Sequence, residues 1–237
     1  MDLKDKIVLV TGGAVRIGRA LCESFHAAGA HIIIHCNESV DEAQDLSRKL
    51  PGSKVVQCNL AKDDAAKRLM LACGKVDVLI NNASMFIQKR SSQEPPDQFA
   101  RQMQVNYRVP LQLMQRFKSQ KTLNEGCIIN ILDEAADHTP INAGSYLLSK
   151  RALADATLRA AHDYAPRIRV NGLALGPVLP PADNEDQSMT KSIASMPMGK
   201  IISMTDVVNS CMLLTITDSI TGHILYVDGG KHLVKSE

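Results

Sequence analysis

Apolar residues recur along the chain in two rhythms. Short runs such as Ile7-Val8-Leu9-Val10 and Ile32-Ile33-Ile34 are apolar at every position, as in strands covered on both faces. Between them, apolar residues fall three or four apart, the spacing of a half-buried helix. Runs at 7–10, 31–35, 54–57, 76–80, 127–132, 168–173 and 224–227 predict seven strands. Helical spacing predicts helices over 17–28, about 40–50, about 99–119 and about 143–164. Such alternation implies an α/β fold: a doubly wound, Rossmann-type parallel sheet with helices on both faces.

No repeat, Gly/Ser-rich linker or low-complexity tract divides the chain, so residues 1–237 read as one dinucleotide-binding domain. The segment 179–200, with Pro180-Pro181 and an acidic cluster of Asp183, Glu185 and Asp186, breaks the alternation. It follows the sixth strand, at the edge where such sheets bind ligands, and is expected to be a substrate lid.

Composition narrows the function classes. A net charge of +2 exerts no overall pull on nucleic acid or an anionic membrane, and 3% aromatics without Trp supply no base-stacking surface. The six cysteines form no CxxC pair and read as reduced core thiols. No apolar run approaches the ~20 residues of a membrane span and no signal-peptide pattern opens the chain, so a cytoplasmic location is expected. His31, His35, His138, His162 and His223 have no metal-like spacing, and neither a metal nor another role is assigned to them.

The first strand runs into Thr11-Gly12-Gly13-Ala14-Val15-Arg16-Ile17-Gly18. Glycines at a strand-to-helix turn let backbone amides approach a pyrophosphate, and the helix N-terminus adds partial positive charge. The spacing is TGxxxxxG rather than GxGxxG, and Arg16 stands where a middle glycine is common. After the second strand comes Cys36-Asn37-Glu38-Ser39. No acid sits directly at the strand end to meet a ribose 2′-hydroxyl, and no Arg or Lys follows to meet a 2′-phosphate, although Asn37 and Ser39 can donate to one. NADPH is the expected cofactor, with NADH left open.

Tyr146 and Lys150 lie four apart on one predicted helix. Such pairs also occur as ordinary surface neighbours. Here the pair follows the fifth strand, at the nicotinamide end of the crevice. A free phenol titrates near ~10. An ammonium about 4 Å away, at an effective dielectric near 20, favours the phenolate by roughly 4 kcal/mol, and desolvation takes part of that back. A net lowering of the phenol pKa is the expectation.

Together these features resemble the short-chain dehydrogenase/reductase family over nearly the whole chain. The resemblance includes Asn81-Asn82-Ala83-Ser84 after the fourth strand, Asn106 in the next helix, Asn171-Gly172-Leu173-Ala174-Leu175-Gly176, and Val227-Asp228-Gly229-Gly230. It implies catalytic roles for Tyr146, Lys150 and Asn106. It also implies cofactor contacts from Gly12, Arg16, Ile17, Gly18, Asn37, Ser39, Asn59, Leu60, Asn82, Ala83, Ser84, Lys150, Gly176 and Val178. Most members carry a serine thirteen residues before the tyrosine; this chain has Asp133. An ionised carboxylate repels a developing alkoxide but suits a substrate bearing N–H groups, so Asp133 joins the catalytic set.

Arg16, Asp133 and Phe86 together look like the pteridine reductases and the bacterial dihydromonapterin reductases, and the ending Asp228-Gly229-Gly230-Lys231-His232-Leu233 is similar to the latter. That branch implies a pterin substrate held by Arg16, Ser84, Phe86, Asp133 and Tyr146, in a homotetramer. The alternatives are a carbonyl or 3-oxoacyl reductase of the same family and a non-catalytic cofactor-binding sensor.

Overall fold

The computed structural model describes residues 1–87, 89–137, 143–178 and 193–234. Seven strands form one sheet: β1 (Ile7–Val10), β2 (His31–Cys36), β3 (Lys54–Gln57), β4 (Val78–Asn81), β5 (Gly126–Asp133), β6 (Ile168–Leu175) and β7 (Ile224–Val227). Every pairing is parallel, in the order β3-β2-β1-β4-β5-β6-β7. The helices are α1 (Arg16–Ala27), α2 (Val40–Lys49), α3 (Ala65–Cys73), α4 (Pro96–Met103), α5 (Val109–Lys118), α6 (Gly144–Tyr164) and α7 (Met204–Ile216).

Strand periodicity divides the apolar residues into two cores. Val8 and Val10 pack with Ile32, Ile34, Leu21 and Phe25 on the α1/α2/α7 side. Leu9 and Ile33 point the other way, onto Leu69, Leu113, Phe117 and Leu153 from α3, α5 and α6. That two-sided burial is why these strands are apolar throughout.

The chain winds outward from β1 to β3, then returns so that β4 pairs with the other side of β1. The order reverses there, and the strands' carboxyl ends leave a crevice at that point.

The structure differs from the pattern-based expectation in several elements. The helix predicted over 99–119 starts at Pro96 and is interrupted by a π-helical turn at Gln104–Arg108, a device that often marks functional sites. α3 and α7 had no counterpart in the predicted elements. α3 is short, whereas α7 did carry a start signal: Ser203 is its N-cap and accepts from the Asp206 amide at 3.0 Å. The fourth strand begins two residues later than its pattern, and β5 runs on to include Asp133. Finally, residues 179–192 of the expected lid lie outside the described residues, as does His138. Of the rest of that segment, Met196 is buried, and the Met198 amide donates to Gly229 O at 3.1 Å.

Candidate active site

Two turns meet at the crevice. Gly12 adopts φ +62°, a left-handed conformation that suits glycine. A Cβ on Gly18 would fall inside the van der Waals shell of Gly12 O and 2.7 Å from Asn82 Nδ2. Arg16 also has positive φ, at 52°, a conformation costing a non-glycine residue about 1–2 kcal/mol. Strain of this kind concentrates where a side chain must be aimed.

The second turn is bound to the first through Thr11 and Asn82. Thr11 Oγ1 accepts from the amides of Asn82 (2.9 Å) and Ala83 (3.0 Å), and Asn82 Nδ2 donates to Thr11 O (2.9 Å) and Gly12 O (3.1 Å).

His35, at the end of β2, completes this assembly. Its Nδ1 accepts from the Gly12 amide at 3.0 Å, which places the ring proton on Nε2, 2.9 Å from Cys58 O. The imidazole therefore ties the glycine turn to the chain just before Asn59. Burial holds its pKa down at about 4, against a partial opposing effect from Cys58 O. The sequence assigned His35 no role; the available signal was a polar residue at the carboxyl end of an otherwise apolar stretch, after Ile32-Ile33-Ile34.

The turns enclose a cleft of about 430 Å³. Among the residues expected to contact a cofactor, Gly12, Arg16, Ile17, Gly18, Asn37, Asn59, Leu60, Asn82, Ala83 and Ser84 line it; Ser39, Lys150, Gly176 and Val178 do not. Ser39 instead precedes α2, and Gly176 packs where a Cβ would stand 2.7 Å from the Asp228 Cα. Glu38, Met85, Arg101 and Val105 line the cleft as well. A glycine floor without room for Cβ atoms, at the carboxyl end of β1, fits the backbone approach a dinucleotide pyrophosphate requires.

Beyond the cleft, the Tyr146 hydroxyl donates to Asp133 Oδ2 at 2.9 Å, and the Phe86 ring stands edge-on to the Tyr146 ring with centroids 4.7 Å apart. Phe86 is 52% exposed, so its ring is open to a ligand beside Tyr146. Lys150 is 3% exposed and donates to Ile131 O at 2.8 Å; its Nζ lies 5.8 Å from the Tyr146 ring centroid. Burial lowers the lysine pKa to about 8, with Asp133 acting in the opposite direction.

The expected lowering of the phenol pKa is not found. Burial, then the charge and hydrogen bond of Asp133, push Tyr146 well above the usual tyrosine range, while Ser84 pulls it down. The carboxylate, which accepts the phenolic hydrogen bond, acts in the same direction as burial and stabilises the protonated phenol.

Asn106 sits in the π-helical turn, 1% exposed, with Nδ2 donating to Met85 O (2.8 Å) and Oδ1 accepting from the Met85 amide (2.7 Å) and Ser84 hydroxyl (3.4 Å). Its carboxamide thus holds the loop that presents Ser84 and Phe86. Behind Asp133, the buried carboxylate of Glu134 pairs with Lys231 at 2.8 Å. Burial raises the Glu134 pKa, and Lys231 counteracts it.

All six cysteines are buried and unbridged. Among the described residues, no group of His, Cys, Asp and Glu is arranged to hold a metal, and no helix is long and apolar enough to cross a membrane.

Known proteins share this architecture. The family model described as Enoyl-(Acyl carrier protein) reductase matches residues 13–232. FolM alternative dihydrofolate reductase 1 from Brucella canis, solved in complex with NADP, superposes with a TM-score of 0.92 at 30% identity, covering 100% of this chain and 97% of that one. A structure described as a putative betaketoacyl-ACP reductase superposes with a TM-score of 0.89 at 25% identity, covering 98% of this chain and 100% of its own. Human L-xylulose reductase is 29% identical over 237 residues, 96% of this chain and 97% of that protein.

Proposed function

Since the chain belongs to the short-chain dehydrogenase/reductase family, we propose that it is an NADPH-dependent pterin reductase, converting a dihydropterin to its tetrahydro form. One observation carries the reading: the position thirteen residues before Tyr146 holds a carboxylate, and that carboxylate accepts the phenolic proton at 2.9 Å. The NADP complex of the Brucella FolM protein supports the cofactor.

Bound in the cleft, NADPH supplies the hydride. The protein's own work is orientation and proton supply. Asp133 is half-buried and bonded to the Tyr146 hydroxyl, so beside that hydroxyl it favours a ligand that brings N–H donors and penalises an oxygen gaining negative charge. The aminopyrimidinone edge of a pterin meets that demand. The exposed Phe86 ring gives a flat heterocycle a face to stack on. Tyr146, kept protonated by burial and Asp133, is the donor to the ring nitrogen of the reduced C=N bond. For that step the hydroxyl turns from Asp133, which holds it beforehand, to the ring nitrogen, and Lys150 supplies the positive charge that offsets the phenolate left behind.

The similarity to L-xylulose reductase favours a second reading, reduction of a carbonyl. NADPH oxidation followed at 340 nm separates the two. With dihydromonapterin or dihydrobiopterin the expected result is turnover at least tenfold faster than with acetoacetyl thioesters or xylulose. Turnover of the carbonyl substrates alone ends the pterin reading.

A further inference from the structure

Gln102 on α4 is fully buried, an unusual place for a primary amide unless each of its groups is bonded. Its Oε1 accepts from the Ile87 amide at 2.9 Å, and its Nε2 donates to Glu94 Oε1 and Ser145 Oγ, each at 2.8 Å. Glu94 closes the cluster: Oε2 accepts from the Ser145 amide at 2.9 Å, and Oε1 accepts from the Ser145 hydroxyl at 2.5 Å. The donors and acceptors match, so the amide has one orientation. Gly144 is fitted to the same cluster, with φ +38° and a Cβ position 2.8 Å from Glu94 Oε2 and 2.9 Å from Lys89 O.

The cluster joins the two segments that carry the Phe86 and Tyr146 rings. Ile87 follows Phe86, and Ser145 precedes Tyr146. A bridge between Lys89 and Ala143 runs alongside. The Glu94 carboxylate also lies at the start of α6, where free amides and the helix dipole favour negative charge. Apolar packing would fill this space but leave the two segments free to slide; directional bonds fix their separation.

We propose that Glu94, Gln102 and Ser145 are positioning residues that set the distance between the Phe86 ring and the Tyr146 hydroxyl. The inference rests on the reading of Tyr146 as proton donor but not on the identity of the substrate.

The test uses Gln102→Leu, Ser145→Ala and Ser145→Thr with three readouts. These are kcat on whichever assayed substrate the wild type reduces fastest, NADPH Kd by fluorescence, and the phenol titration of Tyr146. The last is taken at 295 nm as the difference between each protein and its Tyr146→Phe counterpart. Gln102→Leu and Ser145→Ala should lower kcat at least tenfold, leave Kd within twofold and displace the Tyr146 titration, while Ser145→Thr recovers kcat to within threefold of wild type. An unchanged kcat and titration overturn the proposal. So does a parallel loss of kcat, cofactor affinity and melting temperature, or a threonine variant no better than alanine. Should Gln102→Leu fail to fold, the serine pair decides alone. Absence of any wild-type turnover would count against the donor reading of Tyr146; the titration then decides the positioning claim by itself.

Discussion

Replacing His35 with asparagine should flatten the acid dependence of folding stability. In the folded protein the imidazole is neutral, because Nδ1 accepts from Gly12 and burial disfavours the cation; its pKa drops from 6.5 to about 4. The unfolded chain therefore binds more protons than the native one between those values, and native stability falls as pH falls from about 6.5 toward 4. With these two pKa values the loss is about 2 kcal/mol at pH 5 and reaches about 3 kcal/mol below pH 4. Asparagine keeps an acceptor near the Gly12 amide but does not titrate. Carboxylates also gain protons as the pH falls, so the quantity of interest is the wild-type minus variant difference at each pH, in which they cancel. Urea melts at pH 7, 6 and 5, read by the fluorescence of the four tyrosines in a chain without Trp, give that difference. Equal slopes of stability against pH in the two proteins would refute the role assigned to the imidazole.

Three further substitutions test other parts of the site. Gly18→Ala places a methyl group against Gly12 O and Asn82 Nδ2, so NADPH Kd by fluorescence titration should rise at least 100-fold. Lys150→Met should cut kcat by about 100-fold or more, without lowering the urea midpoint at pH 7, because it removes a buried ammonium whose pKa has dropped from 10.5 to about 8. The sign follows from linkage: the unfolded chain binds more protons between about 8 and 10.5, so wild-type stability gains on the variant as pH rises across that window. Asp133→Ser should reduce dihydropterin turnover at least 100-fold and leave NADPH Kd within twofold; stopped-flow and equilibrium fluorescence separate the two.

The sheet was legible because its strands are buried on both faces and so carry continuous apolar runs. β1, buried from Val8 to Val10, matches its pattern residue for residue. α3 was not legible: nine residues give only about two and a half turns in which a period can show. The π-helical turn was hidden for a different reason, since Gln104–Arg108 continues the helical spacing and the extra residue per turn appears only in three dimensions. Within the site, Asp133 stood out through its spacing to Tyr146. The direction of the phenol's pKa shift did not, because it depends on how deeply the ring is buried and on Asp133 making contact, whereas Lys150 turns to Ile131 O. Glu94 and Gln102 lay beyond sequence reasoning altogether. Their partner Ser145 is some fifty residues away in the chain, and only the packing of α4 against α6 brings them together.

Proton delivery from the Asp133–Tyr146 pair to a ring nitrogen, with hydride added to the neighbouring carbon, is tested most directly with NADPH deuterated at C4 on the transferred face. The enzyme is incubated with dihydromonapterin and the products are separated by mass spectrometry. A tetrahydropterin carrying one deuterium on a ring carbon, formed by wild type and at least 100-fold more slowly by Asp133→Ser, is the predicted result. Deuterium found only in the alcohol of a carbonyl co-substrate, with the pterin recovered unlabelled, would contradict it.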